Sequence, residues 1–160
     1  MDQEACSLPK PTCPVALTPT FSVGPAPLRG SIAQLADAGF RSLINNRPDT
    51  DQDLVMPSAE TAIEAEATGL RYVHIPVEGR NPLERDVKAF AAALSTLPQP
   101  IFAYCQSGGR SASLWAMASV ADFDTETLIS KCREIGFDIS GLRAKMDMRR
   151  ELLAEGDDDI

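Results

Sequence analysis

An apolar run that ends in cysteine and passes at once into a glycine pair, an arginine and a helical pattern leaves a chain few ways to fold. That stretch is Ile101-Phe-Ala-Tyr-Cys105-Gln-Ser-Gly-Gly-Arg110-Ser111, followed by Ala112, Leu114, Trp115, Met117 and Ala118. It predicts a buried strand over 101–105, a tight loop, and a helix over 110–122. Successive backbone N–H groups in such a loop turn inward, and the helix start adds partial positive charge. The centre of the loop is therefore an anion site. Cys105 stands where that field stabilises a thiolate. Arg110 adds a permanent cation with a forked pair of donors. Gly108 and Gly109 allow positive φ and keep side chains out of the cradle. A purely structural cysteine before a glycine turn would account for fewer of these residues.

The spacing bears on the chemistry. Four residues separate Cys105 from Arg110, giving C-x4-R-S. Cysteine-dependent phosphatases use C-x5-R, a loop long enough to wrap the three equatorial oxygens of a phosphoryl group. The rhodanese sulfurtransferases use a loop one residue shorter, and Cys-Gln-Ser-Gly-Gly-Arg-Ser resembles their active-site sequence. Loop length thus favours sulfur transfer. In that reading Cys105 is the nucleophile and carries sulfane sulfur as a persulfide, with no other cofactor. Arg110 holds a small anionic donor, thiosulfate or a low-molecular-weight persulfide, and the acceptor is a thiol or cyanide. The backbone N–H groups of Gln106, Ser107, Gly108, Gly109 and Arg110 stabilise the sulfur anion. Ser111 either hydrogen-bonds the thiolate or caps the helix.

A phosphatase acting through a phosphocysteine is the alternative. It needs a general acid, usually an Asp on an upstream loop, to protonate the leaving oxygen. The corresponding loop, Val77-Glu78-Gly-Arg-Asn-Pro82, offers Glu78 and no Asp before Asp86. A non-catalytic anion-binding module is a second alternative. Arg47 is read as widening the positive pocket and Asp49 as part of a surface turn. His74, the only histidine, is read as a structural group within its strand. The cysteines and this histidine lack metal-ligand spacing, so no metal is expected.

The rest of the chain alternates strand and helix patterns. Phe21-Ser-Val, 41–46 and 71–77 read as strands. Ser31 is a candidate cap for a short helix, and 57–68 and 84–97 read as helices, the second with Val87, Phe90, Ala91 and Leu94 on one face. Helices over 125–135 and 142–153 close the chain. Such alternation predicts an α/β fold with a central, largely parallel sheet of about four to five strands flanked by helices. Ligands then bind at the carboxyl edge of the sheet, where Asn45, Asn46, Arg47, Glu78 and Cys105 collect. Residues 1–16 are expected to be a flexible lead, 17–153 a single domain, and 154–160 an acidic disordered tail. A net charge of −8 argues against nucleic acid or an anionic membrane as partner. The N-terminus lacks the basic and apolar regions of a signal peptide, which implies a cytoplasmic protein with Cys6, Cys13, Cys105 and Cys132 reduced. Cys6, Cys13 and Cys132 receive no role.

Several segments together resemble one family. Phe21-Ser-Val, Leu35-Ala-Asp-Ala-Gly-Phe, Leu43-Ile-Asn-Asn-Arg-Pro-Asp, Gly69-Leu-Arg-Tyr-Val-His-Ile-Pro-Val, the cysteine loop and Leu114-Trp-Ala-Met-Ala are similar, in this order, to the phosphatase-like domain of the bacterial beta-lactamase-hydrolase-like proteins. The resemblance implies a dual-specificity-phosphatase-like fold carrying a rhodanese-type loop. It also implies a role as a sulfurtransferase in sulfide handling. Some relatives fuse this domain to a persulfide dioxygenase, so a separate persulfide dioxygenase is the implied partner of a stand-alone version.

Overall fold

A computed structural model describes residues 13–156. Its centre is the strand predicted from the apolar run, Ile101–Cys105, and side-chain alternation on this strand sets the layers. Ile101 and Ala103 face one core, with Phe90, Trp115, Leu128 and Met146. Phe102 and Tyr104 face the other, with Ile32, Leu43 and Ala65. A strand covered on both faces reads as a continuous apolar run, and all five of its residues are buried.

The strands in chain order are β1 (Val15–Thr18), β2 (Phe21–Pro25), β3 (Ser42–Asn45), β4 (Arg71–His74) and β5 (Ile101–Cys105). They lie side by side in the order β1-β2-β5-β3-β4. β2, β5, β3 and β4 run parallel, and only β1 is antiparallel to its neighbour. Register aligns Pro25 with Cys105, Asn45 with Tyr104 and Asn45 with His74, so the strands end together at one carboxyl edge. Helices α1 (Ile32–Asp37) and α2 (Ser58–Ala67) cover one face. Helices α3 (Glu84–Thr96), α4 (Gly109–Ala118), α5 (Thr125–Glu134) and α6 (Arg143–Ala154) cover the other. No helix among the described residues is long and apolar enough to cross a membrane.

Three local expectations change. β1 begins at Val15, inside the segment read as a flexible lead; four residues between Pro14 and Pro19 are too few to show a period, and prolines suit an edge strand. The rest of the lead, 1–12, and the tail from 157 lie outside the described residues. Helix α4 stops at Ala118, four residues short of the predicted end, and Ser119 turns the chain by accepting from the N–H groups of Asp122 and Phe123. The expectation of four reduced thiols fails at Cys13, which is disulfide-bonded, whereas Cys105 and Cys132 are free.

Candidate active site

β5 carries Cys105 to the carboxyl edge, the chain turns through Gln106–Gly108, and α4 begins at Gly109. The Gly108 N–H donates to the Cys105 sulfur at 3.1 Å. Burial alone would push this thiol up, since the residue is only 1 % exposed. The backbone N–H groups of Ser111, Gly108 and Ser107, together with the Arg110 charge, outweigh burial and hold Cys105 below the ordinary thiol range. Cys132 lacks such opposition, and burial pushes it up to about 12. From the described cysteines, thiolate absorbance should therefore rise in one step below the ordinary thiol pKa and not again until strongly alkaline pH. Cys105→Ser should delete the first step; its survival in that variant would refute the assignment.

Two glycines make the turn possible. Gly108 has φ 111°, and a Cβ there would lie 3.1 Å from the Cα and N of Gly24 in β2. The loop is thus pressed against the backbone of the neighbouring strand, and a side chain at Gly108 would force one of the two to give. Gly108→Ala should cost about 1–2 kcal/mol for the left-handed conformation alone, with further loss from the clash. The Cys105 pKa should rise as the Gly108 N–H moves off the sulfur. Denaturant unfolding and thiolate titration of the same variant measure both effects.

Arg110 is held from outside the loop. Its Nη1 donates to the Val77 carbonyl at 2.9 Å and to Asp51 Oδ1 at 3.3 Å, and its Nη2 donates to Asp51 Oδ2 at 2.6 Å. Of the five guanidinium N–H bonds this leaves Nε–H and one Nη2–H to serve the Cys105 sulfur and a ligand beside it. Asp51 also accepts from Arg47 Nε at 3.1 Å. Arg47 is buried, and its Nη2 donates to the Gln52 carbonyl at 2.7 Å. Besides lining a small cavity next to Gln106, Arg47 has an indirect role: it secures the carboxylate that secures Arg110. Asp51 was absent from the sequence reading. Asp49, Asp51 and Asp53 alternate on one loop, but nothing local tells which of them meets an arginine.

Ser111 neither bonds the thiolate nor caps the helix through its side chain. Its Oγ–H donates to Asn46 Oδ1 at 2.8 Å, while its backbone N–H supports Cys105. Asn46 Nδ2 donates in turn to the Ile75 carbonyl at 2.9 Å, so this pair ties the first turn of α4 to the neighbouring strand ends. His74 Nε2 donates to the Arg47 carbonyl at 2.9 Å, and Asp49 accepts from the Ser58 N–H and hydroxyl at 2.9 and 2.8 Å; both are structural, as read. The Gln106 side chain is exposed and borders a small cavity with Asn45, Arg47 and Tyr104. Glu78 is exposed on its loop. A different residue of that loop reaches the cysteine turn. A Cβ on Gly109 would lie 2.6 Å from each of Cζ, Nε and Nη2 of Arg80, so the guanidinium lies face-on over Gly109.

The sequence profile of the family described as "Beta-lactamase hydrolase-like protein, phosphatase-like domain" matches residues 15–122. A beta-lactamase hydrolase-like protein from Agrobacterium fabrum is 29% identical over 108 residues, and one from Xylella fastidiosa is 30% identical over the same length. Each match spans 68% of this chain and 25% of the relative. Among solved structures, a Neisseria meningitidis protein provisionally named a phosphatase superposes with a TM-score of 0.73 at 25% identity, covering 85% of this chain and 97% of its own. PTPMT1 gives 0.68 at 18% identity, covering 90% and 98%. The core catalytic domain of the PP-IP phosphatase SIW14 from S. cerevisiae gives 0.63 at 13% identity, covering 89% and 91%. At those last two identities the likeness establishes the fold, which is phosphatase-like.

Proposed function

The chain belongs to the beta-lactamase hydrolase-like, phosphatase-like domain family, and on that premise we propose that it is a cysteine-dependent sulfurtransferase. The observation that carries this reading is the short C-x4-R loop, whose backbone donors converge on the Cys105 sulfur. The Cys105 thiolate attacks the outer sulfur of thiosulfate. A sulfur–sulfur bond forms to Cys105 as the bond to the sulfonyl sulfur breaks, and sulfite leaves with that electron pair. The product is a Cys105 persulfide anion, which the loop N–H groups and Arg110 stabilise. Cyanide or an external thiolate then attacks the terminal sulfur, leaves as thiocyanate or a new persulfide, and restores the thiolate. No proton transfer is required, because sulfite departs as a stable anion.

Phosphate ester cleavage is the second reading, and the phosphatase-like fold with its solved relatives favours it. It demands a proton donor for an alkoxide. Asp51 is unfit for that part: its hydrogen bond to Arg110, reinforced by Arg47, holds its carboxyl below the usual range, so it stays ionised. Glu78 is exposed. Esters with good aryl leaving groups would still react slowly. Parallel assays of one preparation, thiocyanate formation against phosphate release, separate the readings. Robust thiocyanate production with slow cleavage of aryl phosphates alone supports sulfur transfer; efficient release from phosphotyrosine peptides without thiocyanate supports the phosphatase.

A further inference from the structure

One turn of α4 beyond the cysteine loop lies a cavity of about 450 Å³ between the β4–α3 loop and the segment that leads into α6. Its lining includes Arg80, Asn81, Ser113, Asp138, Ile139 and Lys145. Gly109 and Ser113 are four apart on α4 and so share one helix face. The Arg80 guanidinium rests on that face at Gly109 and lies 5.3 Å from the Phe137 ring centroid, between the loop glycine and an aromatic face. Arg80 makes no ion pair among the described residues. Lys145 Nζ donates to Asn81 Oδ1 at 2.5 Å and keeps two N–H groups for a ligand. Asp138 supplies the opposing charge, with Oδ1 already accepting from the Ser140 N–H at 2.9 Å. The cavity therefore carries net positive charge in a chain whose net charge is −8.

A second observation points to a ligand. Ser113 is 1 % exposed, and its hydroxyl has no hydrogen-bond partner. A buried hydroxyl left unmade costs roughly 1–3 kcal/mol, and here it lines a cavity that also presents two cations. Helix-facing serines usually return their proton to the preceding turn; this one does not.

We propose that this cavity is a subsite for the carboxylate-bearing tail of the small thiol, or thiol persulfide, that exchanges sulfur with Cys105. Arg80 and Lys145 take the carboxylate, and Ser113 hydrogen-bonds the tail. This rests on the sulfur-transfer reading and narrows its substrate from thiosulfate-sized anions to carboxylate thiols.

Thiol–disulfide exchange tests the subsite without any sulfur transfer. The Cys105 thiolate attacks one sulfur of an aromatic disulfide and releases the aryl thiolate, whether the probe is the dicarboxylate dithiobis(nitrobenzoate) or the neutral dithiodipyridine. Cys132 stays protonated at neutral pH and Cys13 is already disulfide-bonded, so the signal belongs to Cys105 among the described cysteines. The ratio of the two rates should fall about tenfold in Arg80→Gln, the scale of one charge-assisted hydrogen bond. It should fall by less in Lys145→Gln and Ser113→Ala. Arg85→Gln, an exposed arginine at the start of α3, should leave the ratio unchanged. An unchanged ratio in Arg80→Gln, or an equal fall in Arg85→Gln, would overturn the subsite. A falling ratio in a protein that forms no persulfide from thiosulfate would uphold the subsite and end the sulfur-transfer reading instead.

Discussion

Cys105→Ser should abolish turnover, with a loss on the order of 10⁴-fold or more, because the covalent intermediate has no other place to form. The fold should survive, since Ser replaces a sulfur that accepts hydrogen bonds and fills little space. Cys132 cannot substitute: it is buried, and its pKa is pushed up to about 12. The variant should also lose the low-pH thiolate step while keeping its unfolding free energy within about 1 kcal/mol of the parent. Turnover and thiolate absorbance read the chemistry, and denaturant unfolding confirms that the scaffold is intact. Residual turnover above about 1% of the parent would mean that the nucleophile lies elsewhere.

Asp51→Asn should have the second largest effect, on stability and activity together. The side chain of Asp51 is 18% exposed, and those of Arg110 and Arg47 are 12% and 7% exposed. Removing the carboxylate leaves Arg47 without its carboxylate partner and Arg110 with only the Cys105 thiolate as counter-charge. Breaking a buried pair in this way costs about 3–5 kcal/mol, and partial solvent access reduces the expectation to about 2–4 kcal/mol. The pH dependence has a definite sign. The folded-state pKa of Asp51 is depressed, so its stabilisation is fully present above the unfolded carboxylate value of about 3.9 and is lost as pH falls through the lower folded value. The parent should weaken on acidification below about pH 4, and Asp51→Asn should weaken less over that window. Activity should drop about 10²-fold, as expected when a positioning contact is lost, while Cys105 still titrates as a depressed thiol. A variant as stable as the parent, with the same acid profile, would show that the pair contributes nothing.

Much of this was readable because it is local. The run 101–105 is apolar at every position, so it had to be a central strand, and Gly108 needed only its neighbours to announce a left-handed turn. The nucleophile followed from those two facts. What escaped is what depends on distant partners. Asp51 and Arg110 are 59 residues apart, and Asn46 and Ser111 are 65 apart. No periodicity couples positions at that separation; only the parallel register that aligns the ends of β3 and β5 brings them together. Arg80 lies in the same loop as Glu78. A proton donor there would have to be a carboxylate, yet the residue that reaches the cysteine turn is a cation. The edge strand Val15–Thr18 was hidden for a different reason, being too short and too close to proline to show an alternating pattern.

The central claim is that Cys105 carries sulfur. Mass analysis of the intact protein after incubation with thiosulfate, followed by mapping of the modified peptide, tests it most directly. The account predicts a gain of one sulfur atom on Cys105, removed by cyanide with thiocyanate released and absent from Cys105→Ser. No added sulfur on Cys105, alongside trapping of a phosphocysteine there from a phosphotyrosine peptide, would contradict it.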